Sequence, residues 1–375
     1  TTATAEGSSN NQAPDVKVGA IILGDETEGY SAAHINGIKE AAAELGMSDD
    51  QIVWKYKIAE GGVTADAAED LVGQGCNLII SNSYGHQTYM EEEAEKYPDI
   101  NFVAMTGDFA AHSALAIFYN PFTAVYPSRY VSGVVAGMKV KELVESGTLT
   151  PETQPDSFTA DGKVKIGYVG AYNYAEVVSG YTAFFLGVQS VYPDVEMEVM
   201  YTNSWFDIDK EGAAAEALIA NGAVIIGQHA DSTGAPSAVQ AAYEKGNVAY
   251  SIGYNVDMLS VAPDAALTSA TNNWAVYYTY AFGAMLKGEK IKTDWAEGFT
   301  SDAVAITDLG KSCAEGTAEK VAEVEKQLHD GTLHVFDTSK FTVGGEHLDS
   351  YDKSYGFEGN ELIKDGYFHE SELRS

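Results

Sequence analysis

Residues 16–45 read VKVGAIILGDETEGYSAAHINGIKEAAAEL, and residues 164–192 read VKIGYVGAYNYAEVVSGYTAFFLGVQSVY. Each is a short apolar run, a polar turn and an amphipathic stretch. In the first, Val16–Leu23 suits a buried strand, and Ala32, Ile35, Ile38 and Ala42 recur at helical spacing across Tyr30–Leu45. In the second, a strand at Val164–Val169 and a helix at Val177–Tyr192 repeat the order. Working outward from the first unit, strands are expected at Ile52–Ile58, Leu78–Ser81, Asn101–Met105 and Ala114–Tyr119. Helices are expected at Ala65–Val72, Gln87–Lys96 and Tyr130–Val144. Beyond the second unit the alternation gives strands at Val195–Tyr201, Ala223–Gly227, Val248–Ile252 and Ala266–Thr271, with helices at Glu211–Ala220 and Ser237–Lys245. Serial βα units build parallel sheets covered on both faces by helices. The expected fold class is therefore α/β, with two similar doubly wound lobes. Glu145–Gly162, rich in Gly, Thr, Pro and Ser and without periodicity, reads as the connection between them.

The 375 residues suffice for two full cores, and no run of eighteen uncharged apolar residues is present. A formal charge of −33 repels phosphate backbones, which argues against a nucleic-acid partner. The plain reading of that charge is solubility. Two cysteines, Cys76 and Cys313, with no Cys/His cluster, make neither a zinc nor an iron–sulfur centre. No disulfide is expected. Thr1–Asp15 is small and polar and is expected to be disordered: a solvated tether from a membrane anchor and a cloning remnant both have this composition.

Open α/β sheets bind ligands beyond the carboxyl ends of their strands. After the first strand, Gly24–Tyr30 lacks the Gly-x-Gly-x-x-Gly spacing and places acids where a pyrophosphate would sit, so a nicotinamide cofactor is disfavoured. The other strand ends carry Asn82–His86, Thr106–Asp108, Ala171–Glu176, Asn203–Asp207, Gln228–Gly234, Tyr254–Asp257 and Asn272–Trp274. Tyr, Trp, Asn, Ser and Asp there are a recognition set: aromatic faces to stack a flat ring, amides and hydroxyls to bond its edge. Tyr30 and Trp205 come from opposite halves and can clamp one ring, though Tyr30 also reads as a packing aromatic. No nucleophile elbow or phosphate-binding loop occurs. His229 with Asp231 suggests acid–base work, but a hydrogen-bonding histidine at a strand end is the favoured reading. His34 and His86 are placed at or near helix surfaces, and Arg129 in a structural ion pair.

Taken in order, YVSGVVAGMKVK (130–141), KIGYVGAYNY (165–174), TNSWFDIDKEGAAAEALIANGAVIIGQHADS (202–232) and LTSATNNWAVYY (267–278) resemble the basic membrane protein family of substrate-binding lipoproteins, on its PnrA-like, purine-binding side. The resemblance runs from about Val16 to about Phe341. It implies a type I periplasmic binding protein: two lobes joined by three crossing segments and closing over a ligand. The implied domains are a tether at 1–15, an N-terminal lobe at 16–150 plus 265–290, a C-terminal lobe at 160–260 plus 295–343, and an extension at 344–375. In the family's nucleoside-binding branch two aromatics stack the purine, and Tyr30 and Trp205 fall at those positions. An acid that reads the base corresponds to Thr106, and the acid and lysine that hold ribose correspond to Asn255 and Asn272. With those ionic anchors missing, a neutral base of the adenine type is expected rather than a nucleoside. Ser83, Tyr84, Asn120, Glu176, Asp231 and Asn255 are candidates for its edges and Trp274 for a wall of the cleft.

The resemblance further implies an extracytoplasmic, monomeric protein that hands its ligand to an ABC permease and its ATPase. It implies no enzyme activity, no cofactor, no metal and no nucleic acid, and a membrane association only through a lipid anchor. A nucleoside, another small ligand, or a sensor role towards a membrane receptor stay open.

Overall fold

The computed structural model describes residues 15–337 and 339–341. Of the expected tether only Asp15 is among these residues, and the extension at 344–375 lies outside them. In chain order come β1 (Val18–Ile21), α1 (Gly29–Glu44), β2 (Ile52–Lys55), α2 (Val63–Gly73), β3 (Leu78–Ser81), α3 (Gln87–Lys96), β4 (Asn101–Ala104), β5 (Phe118–Thr123) and α4 (Tyr126–Glu145). There follow β6 (Val164–Gly170), α5 (Ala175–Val191), β7 (Val195–Tyr201), α6 (Ile208–Ala220), β8 (Ile225–Gln228), α7 (Gly234–Glu244) and β9 (Tyr250–Tyr254). The described chain ends with β10 (Ala266–Asn272), α8 (Trp274–Lys287), β11 (Asp294–Glu297), β12 (Val304–Ile306) and α9 (Thr317–His329).

The strands form two six-stranded sheets. One has the order β11-β5-β4-β3-β1-β2 and is parallel throughout. The other has the order β12-β10-β9-β8-β6-β7 and is parallel except for β12, which runs antiparallel to β10. Strands β1 to β5 and β6 to β10 occupy equivalent places, so the repeated unit read in the sequence is a repeat of topology. The type I periplasmic binding fold follows, with three crossings between sheets.

The first crossing, residues 124–125, comes earlier than the boundary expected at residue 150. Helix α4 packs on α5, β10, β12 and α9, on the second side, so Glu145–Gly162 joins two elements of one lobe. A helix buried over most of its length carries no mark in its sequence of which sheet it covers. The second crossing, at Asn273, takes the chain from β10 to α8, which packs on α1; β10 itself stays in the second sheet. The third runs from β11 to β12. The three lie side by side: Ala124 N donates to Glu297 O and Asn273 N to Ala303 O, both at 2.8 Å, and the Thr123 hydroxyl donates to Asn272 Oδ1.

The fifth strand begins at Phe118 rather than Ala114 and runs through Pro121. This is tolerated because Pro121 lies past the last β4–β5 pair, Val103 with Tyr119, where its carbonyl accepts from Thr106 N in the turn after β4. Its missing N–H therefore removes no ladder bond on the β4 side. Lys57, Thr106, Asn203 and Asn255 all have positive φ, between 53° and 65°. They follow β2, β4, β7 and β9, the same two places in each sheet, and turn the chain sharply at the strand ends that face the other lobe.

Candidate functional site

The carboxyl ends of the two sheets enclose a cavity of about 150 Å³. Cavities of that size admit a single ring system. From the first side it is lined by Tyr30, Ser83, Tyr84 and Thr106, from the second by Tyr174, Glu176, Trp205, His229, Asp231 and Tyr254, with Trp274 at the second crossing. The lobes meet at its mouth, where the Tyr84 and Tyr174 rings are 5.7 Å apart.

Local sequence explains the placement. The Glu28 carboxylate caps α1, accepting from Tyr30 N at 2.8 Å and Ser31 N at 2.9 Å. That fills the helix N-terminus, where an anion would otherwise bind, and starts the helix with Tyr30 facing the cleft. The Tyr30 hydroxyl donates to Asn82 O at 2.5 Å and its ring meets His34 edge-on. Trp205 is held edge-on by Tyr172, with ring centroids 4.9 Å apart. Its carbonyl accepts from Asp231 N at 2.8 Å. Trp274 is buried, stacked on His34 at 4.4 Å. Ser83, in the lining, donates to Glu60 Oε1 at 2.5 Å, so its hydroxyl oxygen keeps acceptor capacity. Thr106, a β-branched residue at φ 62°, donates to its neighbour's carbonyl, Met105 O, at 2.6 Å. Such backbone strain concentrates at functional sites.

Seven of the nine expected residues line this one cavity: Tyr30, Ser83, Tyr84, Glu176, Trp205, Asp231 and Trp274. The other two are not part of its lining. Asn120 accepts from Ala111 N and donates to Asp294 Oδ1 at 2.7 Å, so both ends of its amide tie β5 to its surroundings. Asn255 donates to Asp231 Oδ1 at 2.7 Å and accepts from Asn272 Nδ2 at 3.3 Å. It orients a lining residue instead of lining the cavity. His34 and His86, expected near helix surfaces, are fully buried, against the Tyr278 hydroxyl and the Ile58 carbonyl. Arg129, expected in an ion pair, has neutral partners among the described residues: the Tyr168 hydroxyl, Gln228 O, His229 and the Tyr254 ring face.

The expected ligand set omits Phe122, Tyr174 and Tyr254, and leaves out His229, weighed for acid–base work and read as a strand-end hydrogen bonder; these also line the cavity. All four lie at or just beyond a strand end, so the strand-end rule contains them. What it lacks is a way to rank them above the amides beside them.

The electrostatics are unusual for so acidic a chain. Burial, reinforced by Glu28, Glu211 and Glu176, pushes the Asp231 carboxyl well above the usual carboxylate range, with Arg129 opposing. Burial also lowers His229 below the usual imidazole range. A carboxyl that ionises near 3.8 when unfolded and only at higher pH when folded makes stability fall as pH rises above 3.8 towards its folded value. Asp231→Asn keeps the acceptor for Asn255 and removes the titration. Its melting temperature is expected to exceed the parent's by a few degrees at pH 7, the gap closing as the pH is lowered to 3.8. Scanning calorimetry across that range reads it, and a gap unchanged with pH would show that burial does not raise the Asp231 carboxyl.

Comparisons with known proteins agree with this geometry. Residues 26–337 match the Bmp family model, described as ABC transporter substrate-binding protein PnrA-like. A purine-binding protein of Brucella abortus is 32% identical over 341 residues, 89% of each chain. A putative ABC transporter glucose-binding protein of Haloferax volcanii is 27% identical over 297 residues, 78% of this chain and 68% of that one. Among solved structures, an ABC transporter solute-binding protein of Aeropyrum pernix superposes with a TM-score of 0.70 at 16% identity, covering 85% of this chain and 92% of that one. That likeness bears on the fold alone. With most of its length matched by the family model and a relative at 32% identity along nearly all of it, the chain belongs to the Bmp family, the PnrA-like substrate-binding proteins of ABC transporters.

Proposed function

We propose that the cleft takes a neutral purine base of the adenine type and delivers it, outside the cytoplasm, to an ABC permease and its ATPase. The observation that carries this is the pairing of Tyr30 and Trp205, one from each lobe, in the lining of a cavity the size of one ring system. Aromatic faces stack a flat base, and Glu176, Asp231, Ser83 and Thr106 offer hydrogen-bonding groups to its edge. The ligand docks on one lobe and hinge motion at the three crossings buries it. The Brucella relative's purine binding supports the same reading. A lipid anchor beyond the described residues would keep such a protein at the membrane.

A sugar is the second reading, favoured by the Haloferax relative. A thermal-shift panel of adenine, hypoxanthine, adenosine and glucose separates the two. A ligand present at 100 times its Kd stabilises the folded state by about 2.7 kcal/mol. Adenine is expected to raise the melting temperature and glucose to leave it unchanged; the reverse result would replace the base with a sugar.

A further inference from the structure

Arg129 stands 2% exposed on α4, behind the cavity wall, and its bonded partners among the described residues are neutral. Its Nη1 donates to the Tyr168 hydroxyl at 2.9 Å and to Gln228 O at 2.6 Å, and its guanidinium lies 3.7 Å from the centre of the Tyr254 ring. Its Nη2 is 3.0 Å from His229 Nδ1. A guanidinium has donors and no acceptor. The shared hydrogen therefore belongs to Arg129, and Nδ1 presents a lone pair. The neutral imidazole must then carry its hydrogen on Nε2, which is 2.8 Å from Glu176 Oε2. The tautomer follows from the chemistry of the neighbour. Glu176 in turn lines the cavity, with Oε2 held from behind.

A gap in the packing makes this chain possible. Gly180 lies on α5 one turn beyond Glu176, and a Cβ there would come within 3.2 Å of His229 Nδ1 and 3.4 Å of Arg129 Nε. Glycine leaves room for the Arg129–His229 bond. Burying a guanidinium without a bonded carboxylate is costly, so the arrangement is not one that stability alone favours.

We propose that Arg129 and His229 are positioning residues for ligand binding: Arg129 fixes the Nε2–H tautomer of His229, and His229 holds Glu176 so that its free oxygen accepts a hydrogen bond from the ligand. This rests on the reading that the ligand occupies this cleft. The corresponding arrangement at metal sites, in which an outer partner orients a ligating side chain, is worth 10–100-fold in affinity.

The test is a pair of opposed substitutions. His229→Gln keeps a donor where Nε2 stands and gives up the acceptor for Arg129. His229→Asn keeps an acceptor where Nδ1 stands and gives up the donor for Glu176. With adenine titrated in a calorimeter, His229→Gln is expected to bind within a few-fold of the parent and His229→Asn roughly 10–100-fold more weakly. If His229 only satisfied the buried guanidinium, the order would invert, and that inversion, or equal affinities, overturns the proposal. Nitrogen-15 NMR of ring-labelled histidine in the ligand-free protein gives a reading independent of the ligand. A hydrogen on Nε2 in the parent, lost to a mixture of tautomers in Arg129→Met, is expected; a hydrogen on Nδ1 in the parent overturns the assignment. If the parent protein binds no adenine, the purine reading fails, while the relay is still decided by the tautomer.

Discussion

Replacing Trp205 by Ala weakens adenine binding by roughly tenfold or more, because a base stacked on an aromatic side chain gains on the order of 1–3 kcal/mol. The expected effect is large because the rest of the site survives the change. Trp205 is half-buried at the end of β7, and its carbonyl, not its ring, accepts from Asp231 N. The acid on the neighbouring loop therefore keeps its main-chain anchor. Tyr172 and Tyr174, with ring centroids 4.9 and 6.0 Å from Trp205, lose an edge contact but keep their own stack at 5.1 Å. Calorimetry reads the affinity and circular dichroism checks the fold. An unchanged Kd in a folded Trp205→Ala variant would remove Trp205 from the site and with it the two-sided clamp. The matching change at Tyr30 is a poorer test, since Tyr30 also bonds Asn82 O and packs on His34. A loss there would mix binding with stability.

The second large effect is on stability. Gly133→Ala is expected to destabilise the fold by about 1–3 kcal/mol net, in the range of an overpacked core. Helices α4 and α5 approach so closely that a Cβ on Gly133 would sit 2.1 Å from Phe184 O, and one on Gly187 would sit 2.1 Å from Tyr130 O. The obstacle is main chain, which cannot swing aside as a flexible side chain does. Alanine in a helix interior is otherwise favoured over glycine by about 1 kcal/mol, so the sign of the result is informative. A lower melting temperature, by roughly 2–4 °C per kcal/mol, means that the helix contact sets the cost. A higher one would mean that the helices stand further apart than the structure places them. Because α4 also packs on β10, β12 and α9, the loss is expected to loosen the second lobe as a whole.

Much of the fold was legible in the sequence because its signals are local. The period of two or near-continuous apolarity of a strand, and the 3.6-residue period of a helix, are written within ten to twenty residues. Helix α3 and strands β3 and β7 fall at the expected residues. Strand β5 does not, because the proline that argues against a strand is harmless only once it is known where β4 ends. The candidate site was legible to the same depth. Strand ends could be located, and the residues there are of recognition type.

What the sequence by itself determined is a doubled α/β topology with a polar, aromatic-rich rim between its halves, since each βα unit carries its own periodicity and turn chemistry. Only the tertiary structure decided which rim residues face the cavity. Asn120 and Asn255 have the same sequence signature as a ligand-binding amide, yet their partners, Asp294 and Asp231, belong to other segments of the chain and draw them inward. His229 and Tyr254 reach the cavity beside Arg129, which α4 brings across from the first crossing. Hydrogen-bond partners distant in the chain are set by how sheets and helices pack, and no local pattern records that.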